Sequence, residues 1–362
     1  VAPPWIPVPP PSYGGTESVV DNLARGLTAR GHDVTLFTVG TSTVPVERRS
    51  WFDEPVAPMG LSIPEAVHVL AAHTELAEVA DVDVIHDHTV LGPLLAPAAG
   101  PGVPPLVTTN HGVYNAATRL LFGRAAERAS VVAISADQAR RAEGRVPIAR
   151  VIHHGVDTDT YRAGSGGGEH LVFVGRMSPE KGVDRAVRIA RAAGRPLRIF
   201  SKMRDETEVD YYESHVRPLL AADERPLFEA GLDERVQCLQ TAAGLLNPIA
   251  WPEPFGLVMA ESLAVGTPVI TWPLGAAPEI ITHGRTGFLC ATEDAAVRAV
   301  TRLPEIDRAV CRAEAEERFS VARMAADHED LYACLVARSR QPSRRNVAVT
   351  GAHGGTATSM AG

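Results

Sequence analysis

Short runs rich in valine and isoleucine alternate along this chain with longer stretches whose apolar residues recur at helical spacing. In the first half "HDVTLFTV", "DVDVIH", "PLVTTN", "SVVAIS" and "ARVIHH" read as strands. In the second half "HLVFVG", "LRIF", residues 244–249, "TPVITW" and "TGFLC" do the same. Residues 17–30 place Val19, Val20, Leu23, Ala24 and Leu27 on one helical face, and "VDRAVRIARAAG" groups Val183, Ala186, Val187, Ala190 and Ala193 likewise. Alternation of this length predicts βαβ units and parallel sheets. The glycine-rich run "GSGGG" at 164–168 interrupts it and reads as a flexible joint. The pattern predicts an α/β chain of two Rossmann-like parallel-sheet domains facing a cleft, residues 1–160 and 161–316. A helical segment at 317–338 is expected to pack back across the domains. Residues 339–362 are small, polar and aperiodic, and are expected to be a disordered tail.

Bulk properties agree with that architecture. A chain of 362 residues is long enough for two cores, and 45% hydrophobic with 22% charged residues is the balance of a soluble enzyme. The net charge of −8 argues against a nucleic-acid partner. Cys238, Cys290, Cys311 and Cys334 are far apart with no CxxC spacing, so buried thiols in a reducing compartment are expected. Residues 90–107 carry no charge, but five prolines exclude a membrane span and predict a loop leading into a strand. The proline-rich start lacks the basic flank of a signal peptide, which leads to a cytoplasmic expectation.

Two stretches carry chemistry. "VGRMSPEKGVDRAV" follows a strand and opens a helix, with Arg176 in the turn and Lys181 at the helix start. Helix amino termini attract anions, and two cations beside one suit a diphosphate. Taken alone, the pair could equally be solvated cations on an ordinary loop. However, Lys181 and Lys202 are the only lysines among 35 basic residues, and a compact ammonium suits phosphate. No GxGxxG follows any strand, which disfavours a dinucleotide site. In "WPEPFGLVMAES", Glu253 and Glu261 stand eight positions apart, with a helix expected from Pro254 to Ala264. Helical rise throughout would separate them by about 12 Å. A retaining glycosidase pair needs roughly 5.5 Å, so two groups on opposite ends of one elongated ligand fit better. Two surface glutamates on an amphipathic helix would explain Glu261, but not Glu253 between two prolines.

With those residues in place, "EPFGLVMAE" resembles the E-x7-E signature of the retaining family 4 (group 1) glycosyltransferases, which have the GT-B fold. The likeness runs from "GG-x-E" to "PEIITHGRTGF". It implies a nucleotide-sugar donor in the cleft, held mostly by residues 161–316, with the acceptor on the side of residues 1–160. Arg176 and Lys181 resemble the diphosphate-binding pair, Glu253 the acid on donor-sugar hydroxyls, and Glu261 the acid on the ribose. Phe255, Gly256, Leu257 and Val258 would offer backbone amides. Gly14 and Gly15 resemble the first-domain glycine loop, and His111 in "TNHG" the histidine near the transferred sugar. The catalytic set so implied is Glu253, His111, Arg176 and Lys181. The resemblance also implies retention by front-face attack; with Arg176 and Lys181 neutralising the diphosphate, no cofactor and no metal are expected. The acceptor could be a glycan, a lipid or a small molecule, with room for peripheral membrane contact. "HGVD" departs from the family's "NGVD" at His154, and 226–241 matches the base-binding segment only loosely. A nucleotide-sugar epimerase, a phosphorylase or a non-catalytic binder are the competing classes.

Other residues were weighed. The "HDH" of His86, Asp87 and His88 has no third ligand at metal spacing, though His88 could line the acceptor side. Tyr211, Tyr212 and His215 read as packing, Ser135 as a structural strand-end serine, and Glu279 as a residue fixing its loop. Lys202 is the open case, able to reach the ligand. Only "VA" precedes "PPWIPVPPPSYGG", so a longer start supplying a central first strand is expected.

Overall fold

The computed structural model describes residues 1–12, 14–79, 81–97, 103–203, 205–221, 225–228 and 230–340. The expected tail from 341 onward and part of the 90–107 run lie outside the described residues. Every strand pairing among the described residues is parallel.

The first-domain strands are β1 (Thr35–Thr38), β2 (Glu47–Ser50), β3 (Ile85–Asp87), β4 (Leu106–Thr109), β5 (Ala129–Ala133) and β6 (Ile148–Val151). β3 to β6 form one sheet in chain order, while β1 and β2 pair separately. Val1 and Ala2 lie between the two groups. The Val1 amino group donates to the His86 carbonyl at 2.7 Å, and its carbonyl accepts from the His88 N–H at 3.0 Å. The Ala2 N–H donates to the Phe37 carbonyl at 2.9 Å.

The second domain contains β7 (Leu171–Arg176), β8 (Leu197–Lys202), β9 (Leu227–Phe228), β10 (Gly244–Asn247), β11 (Val269–Thr271) and β12 (Gly287–Leu289). Their order is β12-β11-β10-β7-β8-β9. The chain therefore winds one way from β7 and the other way from β10. Such a reversal opens a crevice at the carboxyl ends of the two central strands. β7 and β10 are buried along nearly their whole length, which is why they appear in sequence as continuous apolar runs.

Three expectations need correction. The run 164–168 is not a free joint, because the amides of Gly164, Gly166 and Gly168 donate to Val265, Gln240 and Thr241 at 2.9–3.0 Å. The helix expected from Pro254 begins at Leu257 and runs to Ala264, so helical rise does not apply between Glu253 and Glu261. The tail does not start at 339, because the last helix runs Val321–Ser339.

The two final helices connect the domains. Arg308–Phe319 packs on Leu257–Ala264 in the second domain. Val321–Ser339 crosses to the first-domain helix Gly15–Ala29, where Met324, Leu331 and Tyr332 share a core with Val19, Leu23, Val107, Val132 and Ile152. No described helix is long and apolar enough to cross a membrane.

Candidate active site

Two loops build the floor of the crevice. After β7 the chain turns through Lys181 to Gly182, the N-cap of the helix Val183–Ala192. After β10 it turns through Glu253 to Gly256, the N-cap of Leu257–Ala264. Gly256 has a φ of 86°, where a side chain would be strained, and an added Cβ would stand 2.6 Å from Met259 Cε. Gly275 is needed for a different reason. A Cβ there would lie 2.3 Å from both the nitrogen and the oxygen of the Glu253 backbone. The neighbouring Ala276 N–H donates to the Glu253 carbonyl at 2.9 Å, so the acid is held from behind.

Glu253 is buried and its side chain faces Lys181. Its Oε2 accepts from the Lys181 ammonium and from the Trp251 indole N–H, the latter at 3.0 Å. The ammonium also lies 4.9 Å from the centre of the Trp251 ring, within cation–π range. Glu253 Oε1 has no hydrogen-bond partner among the described residues.

Around this pair lies a cavity of about 580 Å³, open to solvent. The second domain lines it with Lys181, Asn247, Glu253, Phe255, Gly256, Leu257 and Val258. The first domain adds Gly15, Thr16 and His111, together with His154 from the connection that follows β6. Of the residues expected at a donor site, Gly15, His111, Lys181, Glu253, Phe255, Gly256, Leu257 and Val258 thus meet in one place. Arg176, Glu261 and Gly14 do not line that cavity. Arg176, at the end of β7, pairs with Glu180 at 3.2 Å and Glu208 at 3.5 Å. Glu261 is 6% exposed, and its Oε2 has no hydrogen-bond partner among the described residues. It raises the pKa of the Tyr161 phenol, already pushed up by burial. Lys202 lines a second cavity of about 280 Å³ with Gly175, Ser201, Leu227 and Arg235, and Val174 borders both cavities.

His111 belongs to a column of rings. His328, His86, His88, His111 and His154 follow one another with centroids 5.3, 4.1, 5.2 and 5.1 Å apart, and His154 meets Phe255 edge-on at 5.1 Å. Burial pushes the pKa of each ring down, to about 4 for His111 and His328, so all five are neutral at pH 7. His88 does not line the cavity; its Nδ1 is 2.9 Å from His111 Nε2. Sequence reading missed this column, and its only signals were "HDH" and the departure at His154.

The remaining candidates are structural. Ser135 caps a helix by accepting from the Gln138 N–H at 3.0 Å. Tyr211 donates to Asp184 at 2.6 Å and stacks on His215, while Tyr212 packs edge-on to Phe228. Glu279 does more than fix its own loop. Its carboxylate accepts from the first-domain amides of Ala136 at 2.8 Å and Asp137 at 2.6 Å, and contacts His153 Nε2 at 3.0 Å. Among the described residues no group of three or more His, Cys, Asp or Glu side chains could hold a metal ion. All four cysteines are free thiols, but only Cys290 and Cys311 are buried, with Cys238 half-buried and Cys334 exposed.

Comparison with known proteins identifies the family and the fold. Residues 13–160 match the model for Glycosyltransferase Family 4, and 168–305 that for Glycosyl transferases group 1. Mycobacterium tuberculosis glycogen synthase is 31% identical over 54% of this chain and 50% of its own. The D-inositol 3-phosphate glycosyltransferase of Rhodococcus erythropolis is 32% identical over 51% of this chain and 44% of its own. These alignments span about half the length of the curated relatives. The Corynebacterium aurimucosum enzyme of the latter name aligns over 88% of this chain and 91% of its own, at 28% identity. Among solved structures, the glycosyltransferase AviGT4 of avilamycin A biosynthesis superposes with a TM-score of 0.70 at 24% identity, covering 92% and 93% of the two chains. Anabaena HepE, in complex with UDP and glucose, does so at 0.67 and 18%, covering 86% and 95%.

Proposed function

We infer the activity from one premise: the chain belongs to the family 4, group 1 glycosyltransferases, with the GT-B fold. We propose that it transfers a hexose from a nucleoside-diphosphate sugar to an acceptor, with retention of anomeric configuration. The observation that carries this reading is the meeting of Lys181 and Glu253 in a cleft lined from both domains. A cation and a carboxylate side by side match a ligand that is anionic at one end and hydroxylated at the other. The complex of Anabaena HepE with UDP and glucose supports a donor of that kind.

Lys181 stands at the amino end of the helix Val183–Ala192, where ammonium and backbone dipole act together on a leaving diphosphate. Charge on that group grows as the sugar–phosphate bond breaks, so these contacts favour the transition state over the ground state. Arg176 must swing from Glu180 and from the buried Glu208 to join them, and the anionic diphosphate replaces the carboxylates it leaves. Glu253 Oε1 accepts from a sugar hydroxyl while Oε2 stays with Trp251. His111, neutral at working pH, bonds to the sugar without adding charge. With no nucleophile assigned, attack proceeds on the same face as departure, and the donor phosphate accepts the acceptor's proton. No metal is required, the acceptor sits on the first-domain side, and the protein acts in the cytoplasm.

A thermal-shift panel of nucleoside-diphosphate sugars tests the donor assignment. At 100 times its Kd one donor stabilises the protein by about 2.7 kcal/mol. Lys181→Ala is expected to reduce that shift. No response to any donor in the panel would overturn the reading.

A further inference from the structure

We propose that His88 is a positioning residue for the transfer reaction, holding His111 in a single tautomer through the bond between His88 Nδ1 and His111 Nε2. The inference rests on the donor-site reading above, because His111 matters only if the cavity it lines receives the sugar.

The bond itself constrains the protons. The two ring nitrogens are 2.9 Å apart, so one must carry hydrogen and the other a lone pair. Two hydrogens would clash, and two lone pairs would repel. The state of His88 therefore dictates which nitrogen of His111 is protonated, and with it whether His111 Nδ1 donates or accepts. That Nδ1 has no hydrogen-bond partner among the described residues, and the ring lines the cavity.

His88 is well placed to hold the His111 ring. It is 7% exposed and follows the end of β3. The His86 ring lies against it with centroids 4.1 Å apart. His86 is pinned at both nitrogens, Nδ1 2.6 Å from the Tyr332 hydroxyl and Nε2 2.8 Å from Thr109 Oγ1. On the far side, His154 stacks on His111 with ring planes 23° apart. His111 is thus gripped on one side by a hydrogen bond and on the other by a ring, leaving it one face and one nitrogen for a ligand. The "HDH" motif, weighed above as a metal cluster, serves instead to orient a site residue.

Two variants of the full chain separate this role from simple packing. His88→Phe keeps a ring but has no hydrogen-bonding atom. His88→Asn places an amide close to where Nδ1 stood. In spectra of protein labelled with 15N-histidine, with the His111 signals identified by their loss in His111→Gln, the native protein is expected to show one tautomer. His88→Phe should show a mixture of both tautomers, and His88→Asn a single one. In transfer assays His88→Phe should lower kcat roughly tenfold or more, as misoriented reacting groups do, with the donor KM within about twofold. His88→Asn should recover most of that loss. If His88→Phe folds poorly, His88→Gln, whose amide reaches the Nε2 position and misses His111, takes its place with the same expectation. An unchanged His111 tautomer in His88→Phe, equal losses in the Phe and Asn variants, or full kcat with a mixed tautomer would each overturn the proposal. A native protein inactive with every donor would instead sink the activity assignment, and the tautomer comparison would still decide whether His88 positions His111.

Discussion

Lys181 and Glu253, 72 positions apart in sequence, form an ion pair inside the cleft, and Trp251 binds both partners. The pair is largely shielded from water, with side chains 15% and 11% exposed. Each member therefore fixes the other before a ligand arrives. Breaking such a pair by removing one partner leaves the other charge buried and uncompensated. The two residues consequently differ in what their loss does to a bound donor.

Glu253→Gln removes the carboxylate but keeps a side chain able to accept from Trp251. Lys181 is then free to meet a diphosphate without competition. Turnover is expected to fall at least tenfold, while affinity for the free nucleoside diphosphate holds or rises. Calorimetric titration beside initial-rate kinetics checks this, and equal losses in both would place Glu253 away from the sugar.

Glu279 reaches from the second domain to the first-domain amides of Ala136 and Asp137, with His153 beside it. Burial alone would raise its pKa, but those three contacts hold it below the usual carboxylate value. Glu279→Ala would leave partly buried donors unsatisfied, a cost of about 1–3 kcal/mol. A lower melting temperature, together with a larger donor KM, is the expected result. An unchanged KM would mean the clasp stabilises the chain without setting the cleft.

The histidine column makes a prediction about acid. His68, His86, His88, His111, His154 and His328 all titrate below the ordinary value of 6.5, first because of burial. Between pH 6.5 and about 4 the unfolded chain binds protons at these rings that the folded chain refuses. Stability therefore rises with pH across that window, by about 1.4 kcal/mol per pH unit for each such proton, and levels off above it. Asp21 and Glu65, raised by burial, act with the opposite sign but are fewer. Melting temperatures from pH 7 down to 5 should drop steeply, and less steeply in His328→Phe. A flat profile would contradict the burial of neutral rings.

How much of this was legible in the sequence follows from what sequence patterns encode. Strands buried on both faces, such as β7 and β10, are contiguous apolar runs and stand out. β2, with the sequence "ERRS" and mostly exposed, has no such pattern, and β9 spans only two residues. Lys181 and Glu253 were visible as residue types at loop-to-helix turns, yet they read as contacts for different parts of a ligand. That they touch each other depends on the β7–β10 crossover, which no local spacing records. The histidine column draws on four separated segments, so only "HDH" and the departure at His154 hinted at it. The premise of the 12 Å estimate does not hold, because the helix starts only at Leu257, four residues after Glu253 and behind Gly256 at positive φ.

Arg176 and Lys181 supply the counter-charge for the diphosphate in this account, and neither aspartate triplet of the chain, Asp81–Asp83 or Asp157–Asp159, lines the cavity. Transfer is therefore expected to survive excess EDTA at near its full rate. Complete loss, restored by Mg²⁺ or Mn²⁺, would show that the charge is handled by a metal.

The central claim is that Lys181 stabilises the departing nucleoside diphosphate. Its most direct test is the rate at which purified protein releases nucleoside diphosphate from the donor picked out by the thermal-shift panel, in the native form and in Lys181→Ala. A contact of this kind is worth about 2–4 kcal/mol in the transition state, so the variant should be slower by at least tenfold at saturating donor. Release at the native rate by Lys181→Ala would contradict the account.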